Sequence, residues 1–114
     1  MRTAEECRKA LESLTARIAE LDPGDRTAHF PERTMSCRVP DLGLLFITRV
    51  GPNGAEPVTE APAGERPAQV RFTASSDDLV YISEDPARFA RAWLTGKLKV
   101  EASLLDLLRL RKFL

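Results

Sequence analysis

"VRFTASSDDLVYISEDPARFARAWLTGKLKVEASLLDLLRLRKFL", residues 70–114, changes its hydrophobic period several times, and those changes decide the fold class. It opens in alternation, with Val70 and Phe72 set against Arg71 and Thr73, the pattern of a strand with one buried face. From Ser76 the period lengthens. Ser76 reads as an N-cap, Asp77 and Asp78 place acid in a first turn, and Leu79, Val80 and Ile82 supply the apolar contacts of a short helix. Asp85 caps the next helix, with Pro86 at its first position; Phe89, Trp93 and Leu94 share a face, and Thr95-Gly96 ends it. "KLKV", 97–100, returns to alternation and fits a short strand that presents Leu98 and Val100 inward. Ser103 and Asp106 form a capping box for a last helix. There Leu104, Leu105, Leu107, Leu108, Leu110, Phe113 and Leu114 cover more than the roughly 100°-wide stripe that one packing face needs, so a further surface must cover it.

Upstream, Ala4, Cys7, Leu11, Leu14, Ile18 and Leu21 recur three and four apart, the stripe of an amphipathic helix over 3–21. Thr3 and Glu6 make its capping box and "DPG", 22–24, its stop. The stripe covers under three heptads, so it suits a helix lying on a sheet better than a coiled coil. Between Arg33 and Ser76 the period is two. "RTMSCRV", 33–39, alternates Met35, Cys37 and Val39 with polar residues, and "LLFITRV", 44–50, is apolar on both faces at its start. "GPNG", 51–54, is a turn, because Asn53 and Gly54 tolerate positive φ. A strand near 56–61 is confined to an edge by Pro57 and Pro62, and 61–68 is a loop. Helix, strands, then helices make a single α+β domain spanning residues 1–114.

Seventeen basic residues balance seventeen acidic ones, so no net field attracts nucleic acid or an anionic surface, and nucleic acid is not an expected partner. No apolar run is long enough for a span and no secretory segment is evident, which predicts a cytoplasmic protein without stable membrane insertion. Basic charge rests on many Arg and four Lys, beside abundant Ala and Pro, a composition that points to a GC-rich bacterial genome. Cys7 and Cys37 form no C-x-x-C pair and read as small buried hydrophobes, with neither a disulfide nor a metal site expected. His29 stands alone beside Phe30 and Pro31, so no catalytic residue is assigned to it. Asp77-Asp78 and Glu84-Asp85 are explained by helix macrodipoles, and Arg109, Arg111 and Lys112 by the opposite pole of the last helix. No Gly-rich phosphate loop is present: Gly51 and Gly54 bracket a hairpin turn. No enzyme chemistry and no cofactor is expected.

What remains is the apolar excess. Plain core accounts for it as readily as a ligand cavity walled by Phe72, Ile82, Phe89, Trp93 and the leucines of the last helix, and patterning does not separate the two. The stretch 70–114 resembles the C-terminal half of the sterol carrier protein 2 family. Asp77-Asp78-Leu79, the Ala92 to Gly96 segment and Lys97-Leu98-Lys99-Val100-Glu101 match the family pattern, while Ala102 stands where a Gly is usual and Ser103 where an acid often follows. "RTMSCRVPDLG" and the first helix also look like compact bacterial members. The resemblance implies a mostly antiparallel five-stranded sheet with helices on one face and an apolar tunnel between them. It further implies noncatalytic binding or transfer of a sterol, fatty acid, acyl-CoA or phospholipid. On that reading the lining residues are Phe46, Phe72, Leu79, Ile82, Phe89, Trp93, Leu94, Leu98, Leu104, Leu107, Leu108 and Phe113. The terminal "KFL" is not Ser-Lys-Leu, so the peroxisomal location of some relatives is not expected. The alternative is an interaction module with a filled tunnel, pairing with itself or with an enzyme partner.

Overall fold

The computed structural model describes residues 2–19, 32–51, 54–61 and 68–110. The expected helix stop at 22–24, His29, Asn53, most of the 61–68 loop and Phe113 lie outside these. The first helix, α1, spans Ala4–Ala19. Its capping box forms as the sequence requires: Glu6 N donates to Thr3 Oγ1 at 3.1 Å, and Thr3 N donates to Glu6 Oε1 at 3.2 Å. Cys7, Ala10, Leu11 and Thr15 are buried along one stripe. Thr15 is polar there, and its hydroxyl is satisfied by the Leu11 carbonyl at 2.9 Å.

Strands β1 (Arg33–Val39) and β2 (Leu44–Gly51) form an antiparallel pair with Cys37 opposite Phe46. A single 3-10 turn, Pro40–Leu42, joins them, closed by Gly43 at φ 63°. The edge strand expected near 56–61 is shorter, β4 (Thr59–Ala61), and a two-residue strand β3 (Gly54–Ala55) precedes it; both are antiparallel to β2. Pro57 lies between them, where it has no N–H to add to a ladder. Val58 in this break turns inward and is buried. β5 (Val70–Thr73) runs beside β1, with Cys37 level with Phe72, and β6 (Lys99–Glu101) pairs with the far side of β5.

The sheet order is β3-β2-β1-β5-β6, with β4 continuing the β3 edge along β2. It is thus five lanes wide and mostly antiparallel, as expected, but mixed: the central β1–β5 pair is parallel. The chain leaves β2 at one edge and re-enters on the far side of β1, which brings β5 in alongside β1 in the same direction.

Helices α2 (Ser76–Ser83) and α3 (Pro86–Thr95) connect β5 to β6. α1 packs beside α2 and over β2, and α2 packs beside α3. The N-cap of α2 is Ser75, not Ser76: Ser75 Oγ accepts from Asp78 N at 3.2 Å. Ser76 is otherwise engaged. Its N donates to Asp41 Oδ1 at 2.9 Å, its hydroxyl bonds Asp41 Oδ2, and it accepts from Arg2 N at 2.9 Å. A tertiary partner thus takes the hydroxyl that local chemistry offered to the cap. Asp85 caps α3 as expected, donors meeting it at Ala87 N, and Gly96 ends the helix at φ 81°. The short strand lies at 99–101 rather than 97–100; Leu98 just before it is buried and Val100 is half-buried opposite Phe72. The last helix, α4, is described over Leu104–Leu110.

Candidate functional site

The core face of the sheet presents Met35 and Cys37 from β1, Phe46 from β2 and Phe72 from β5, and α1, α2 and α3 lie across it. Between them is a cavity of about 30 Å³. Its roof is Leu11, Leu14 and Thr15 of α1, with Leu79 and Ile82 of α2 and Phe89 of α3. Its floor is Met35, Ser36, Cys37, Phe46, Ile47, Thr48 and Phe72, with Val58 and Leu98 closing the sides. No lining residue is charged. Two of its hydroxyls are already bonded, Thr15 to Leu11 O and Thr48 to Glu56 O at 2.7 Å. Burial pushes the Cys37 thiol up to about 12, so it behaves as a neutral hydrophobe there. Such a wall can offer dispersion and water exclusion and nothing to stabilise a charge.

Six of the twelve expected lining residues meet here: Phe46, Phe72, Leu79, Ile82, Phe89 and Leu98. Of the others, Trp93, Leu94, Leu104, Leu107 and Leu108 are not among its walls, and Phe113 lies outside the described residues. Trp93 is half-buried on the outer side of Phe89, in an edge-to-face chain in which Phe72 and Phe89 lie 6.3 Å apart and Phe89 and Trp93 5.9 Å apart. Leu94 is exposed. α4 does not wall the cavity: Leu107 is half-buried, and Leu104 and Leu108 face solvent. The physical reason is that α4 turns a different face inward. Asp106 is buried, its carboxylate meeting Arg33 Nε at 3.2 Å and Ser103 Oγ at 3.0 Å, and Leu110 is buried with it.

Sequence reasoning missed the contribution of α1 and β1. Leu11, Leu14, Met35, Cys37 and Val58 line the cavity, and the first four carried a legible signal, the helix stripe and the strand alternation. One polar atom also stands out: Arg17 Nη1, a turn beyond Leu14 on α1, is buried without a hydrogen-bond partner among the described residues. A second, larger cleft of about 340 Å³ lies between the β1–β2 connection and β4, lined by Arg38, Pro40, Leu45, Glu60 and Ala61 among others. Its walls carry both charge signs and exposed backbone turns, so it lacks the apolar enclosure of the first. Among the described residues no group of three or more His, Cys, Asp or Glu gathers as a metal site, and no helix is long and apolar enough to cross a membrane.

No family model and no curated protein matches the chain. Solved structures do match in fold. A protein described as UbiJ-SCP2, a ubiquinone synthesis protein, aligns with a TM-score of 0.59 at 16% identity, over 93% of this chain and 90% of its own. Sterol carrier protein 2 like 2 from Aedes aegypti aligns with a TM-score of 0.57 at 16% identity, over 92% of this chain and 94% of its own. Both alignments run nearly end to end, so the likeness is one of whole domains. The chain has the sterol carrier protein 2-like fold.

Proposed function

We propose that this domain is a noncatalytic carrier, working in the cytoplasm, that takes the apolar part of a fatty acid, acyl-CoA, phospholipid or sterol between its first three helices and the sheet. The observation that carries this reading is the uncharged cavity under α1, α2 and α3, in a fold shared with proteins described as a sterol carrier and a ubiquinone synthesis protein. Burying a dozen methylenes supplies about 10 kcal/mol against an association cost of ~4 kcal/mol or more, which predicts dissociation constants of roughly tens of micromolar.

A volume of about 30 Å³ admits one water-sized group, whereas benzene occupies a cavity of about 150 Å³. Uptake therefore requires the helical roof to lift from the sheet, and the wall residues are those a chain would then touch. We assign the Arg17 guanidinium, whose Nη1 has no hydrogen-bond partner among the described residues, to a ligand's carboxylate or phosphate head. Native mass spectrometry of protein purified under mild conditions, with lipid extraction, tests the reading directly. The expected result is copurified lipid, or a fluorescent fatty acid displaced by palmitate or a sterol. An empty protein that binds no apolar probe in the micromolar range overturns it.

The small cavity favours a second reading, an accessory or pairing module whose interior is filled by its own side chains. It predicts a dimer in light scattering or a copurifying enzyme, together with no lipid.

A further inference from the structure

The sheet has a second face. The alternation that sends Cys37, Phe72 and Val100 toward the helices sends Arg38, Arg71 and Lys99 to the opposite side, and all three are exposed there. Arg49 of β2 joins them on that side, paired with Glu32 at 3.2 Å. Among the described residues, the one acid that the strands add to this side is Glu101, level with Arg71. Neither an ion pair nor a side-chain hydrogen bond engages Arg38, Arg71 or Lys99 among the described residues. The whole chain is neutral, so this face holds a concentration of positive charge that the composition does not show.

Register fixes the spacing of these cations. Arg38, Thr73 and Lys99 lie in one row across β1, β5 and β6, and Arg71 is two residues along β5 from Thr73. Lanes about 4.8 Å apart and alternate residues about 7 Å apart put the three cations ~8–10 Å from one another around Thr73, measured at the backbone. Like charges at that distance repel in the free protein, and bound carboxylates remove the repulsion. Beside Arg38 the row opens into the cleft of about 340 Å³, so this cation is reached from a concave side.

Charge complementarity selects the occupant. Carboxylates on alternate residues of an extended segment recur at about 7 Å, close to the spacing of the cations. Nucleic acid fits less well. Glu60 and Glu101, on the two edge strands, stand at either end of the cationic row, and among the described strand residues no aromatic ring lies on this face for a base to stack on. A second copy also fits less well, because a two-fold pairing of this face sets cation against cation.

We infer that the face of the sheet opposite the helices is a docking surface for an acidic segment of a partner protein, its carboxylates meeting Arg38, Arg71 and Lys99. This goes beyond ligand uptake in the cavity and does not depend on it.

The test is binding of a short fluorescein-labelled polyglutamate peptide to the full chain, read by fluorescence anisotropy, beside a labelled single-stranded oligonucleotide of equal charge. The peptide is expected to bind the more tightly of the two, and to weaken as salt is raised. Arg38→Gln, Arg71→Gln and Lys99→Gln together are expected to lose about tenfold in peptide affinity, a little over twofold per charge. Lys9→Gln, Arg88→Gln and Arg91→Gln together remove the same charge from the helices and are expected to bind the peptide like the parent. Circular dichroism and urea midpoints near the parent's show that both variants are folded. No peptide binding, a sheet-face variant that binds like the parent, or equal losses in the two variants overturns the inference. Tighter binding of the oligonucleotide, lost in the sheet-face variant, overturns it in favour of nucleic acid. A dimer in light scattering that the sheet-face variant dissociates overturns it in favour of a second copy.

Discussion

Arg17, beyond the cavity on α1, and Cys37, in its wall, give the two clearest residue-level tests. If Arg17 meets the head of an acidic ligand, Arg17→Gln weakens palmitate by about tenfold or more and leaves hexadecanol unchanged, since only the charged head loses a charge-assisted hydrogen bond. Competition against one fluorescent probe reads both; equal losses for the two ligands would show that Arg17 holds the fold and not the head. The Cys37 thiol, pushed up to about 12 by burial, is protonated at pH 8. Labelling of native protein by a thiol reagent is expected to be about a thousandfold slower at this site than in urea, the ratio of the two thiolate fractions. Its folded value lies above its ordinary value of 9.0, so its contribution to stability is complete below pH 9 and falls as pH rises from 9 toward 12. Urea midpoints across that window are expected to drop for the parent and to drop less for Cys37→Ala. Legibility at this scale followed alternation: Phe72 and Leu98 are buried where strand and near-strand parity put them. Leu94, Leu104 and Leu108 are exposed in this structure, because hydrophobicity alone says that a residue can be buried and not that it is.

Helix boundaries were largely written locally. Thr3 with Glu6, Asp85 and Ser103 with Asp106 cap where sequence spacing put them, since a cap needs only partners two or three residues away. Gly96 stops α3 at φ 81° with open space around its absent Cβ. Gly96→Ala therefore costs the backbone strain alone, about 1 kcal/mol, measurable by denaturant unfolding. Ser76 shows the limit of local reasoning, because Asp41, far away in sequence, claims it. α4 shows the same limit on a larger scale. Its leucine count predicted a buried helix, but its orientation is set by Asp106 and Arg33, 73 residues apart. Asp106→Ala, which leaves a partly buried guanidinium without that carboxylate, is expected to destabilise by about 2 kcal/mol and to raise hydrogen exchange in α4 ahead of the sheet.

Carrier function at the level of the whole molecule requires the roof and floor of a nearly closed cavity to part, and ligand binding should then show as linked stability. Palmitate at ~100 times its dissociation constant is expected to add about 2.7 kcal/mol and to raise Tm by several degrees; an unchanged Tm would favour the filled-interior reading. Phe89→Ala removes the ring joining Phe72 to Trp93 and is expected to cost about 3–5 kcal/mol while enlarging the cavity, seen as a lower unfolding midpoint. The sequence by itself determined the α+β class, the order of its elements, most caps and the stripe on α1, because period and capping are interactions among near neighbours along the chain. Only the tertiary structure decided that β5 enters parallel to β1, that α1 and β1 wall the cavity in place of α4, and that the cavity is small. Those features depend on which distant faces meet: strand parity cannot name a lane in a sheet, and the burial of one carboxylate opposite Arg33 outweighed three leucines in choosing the inner side of α4.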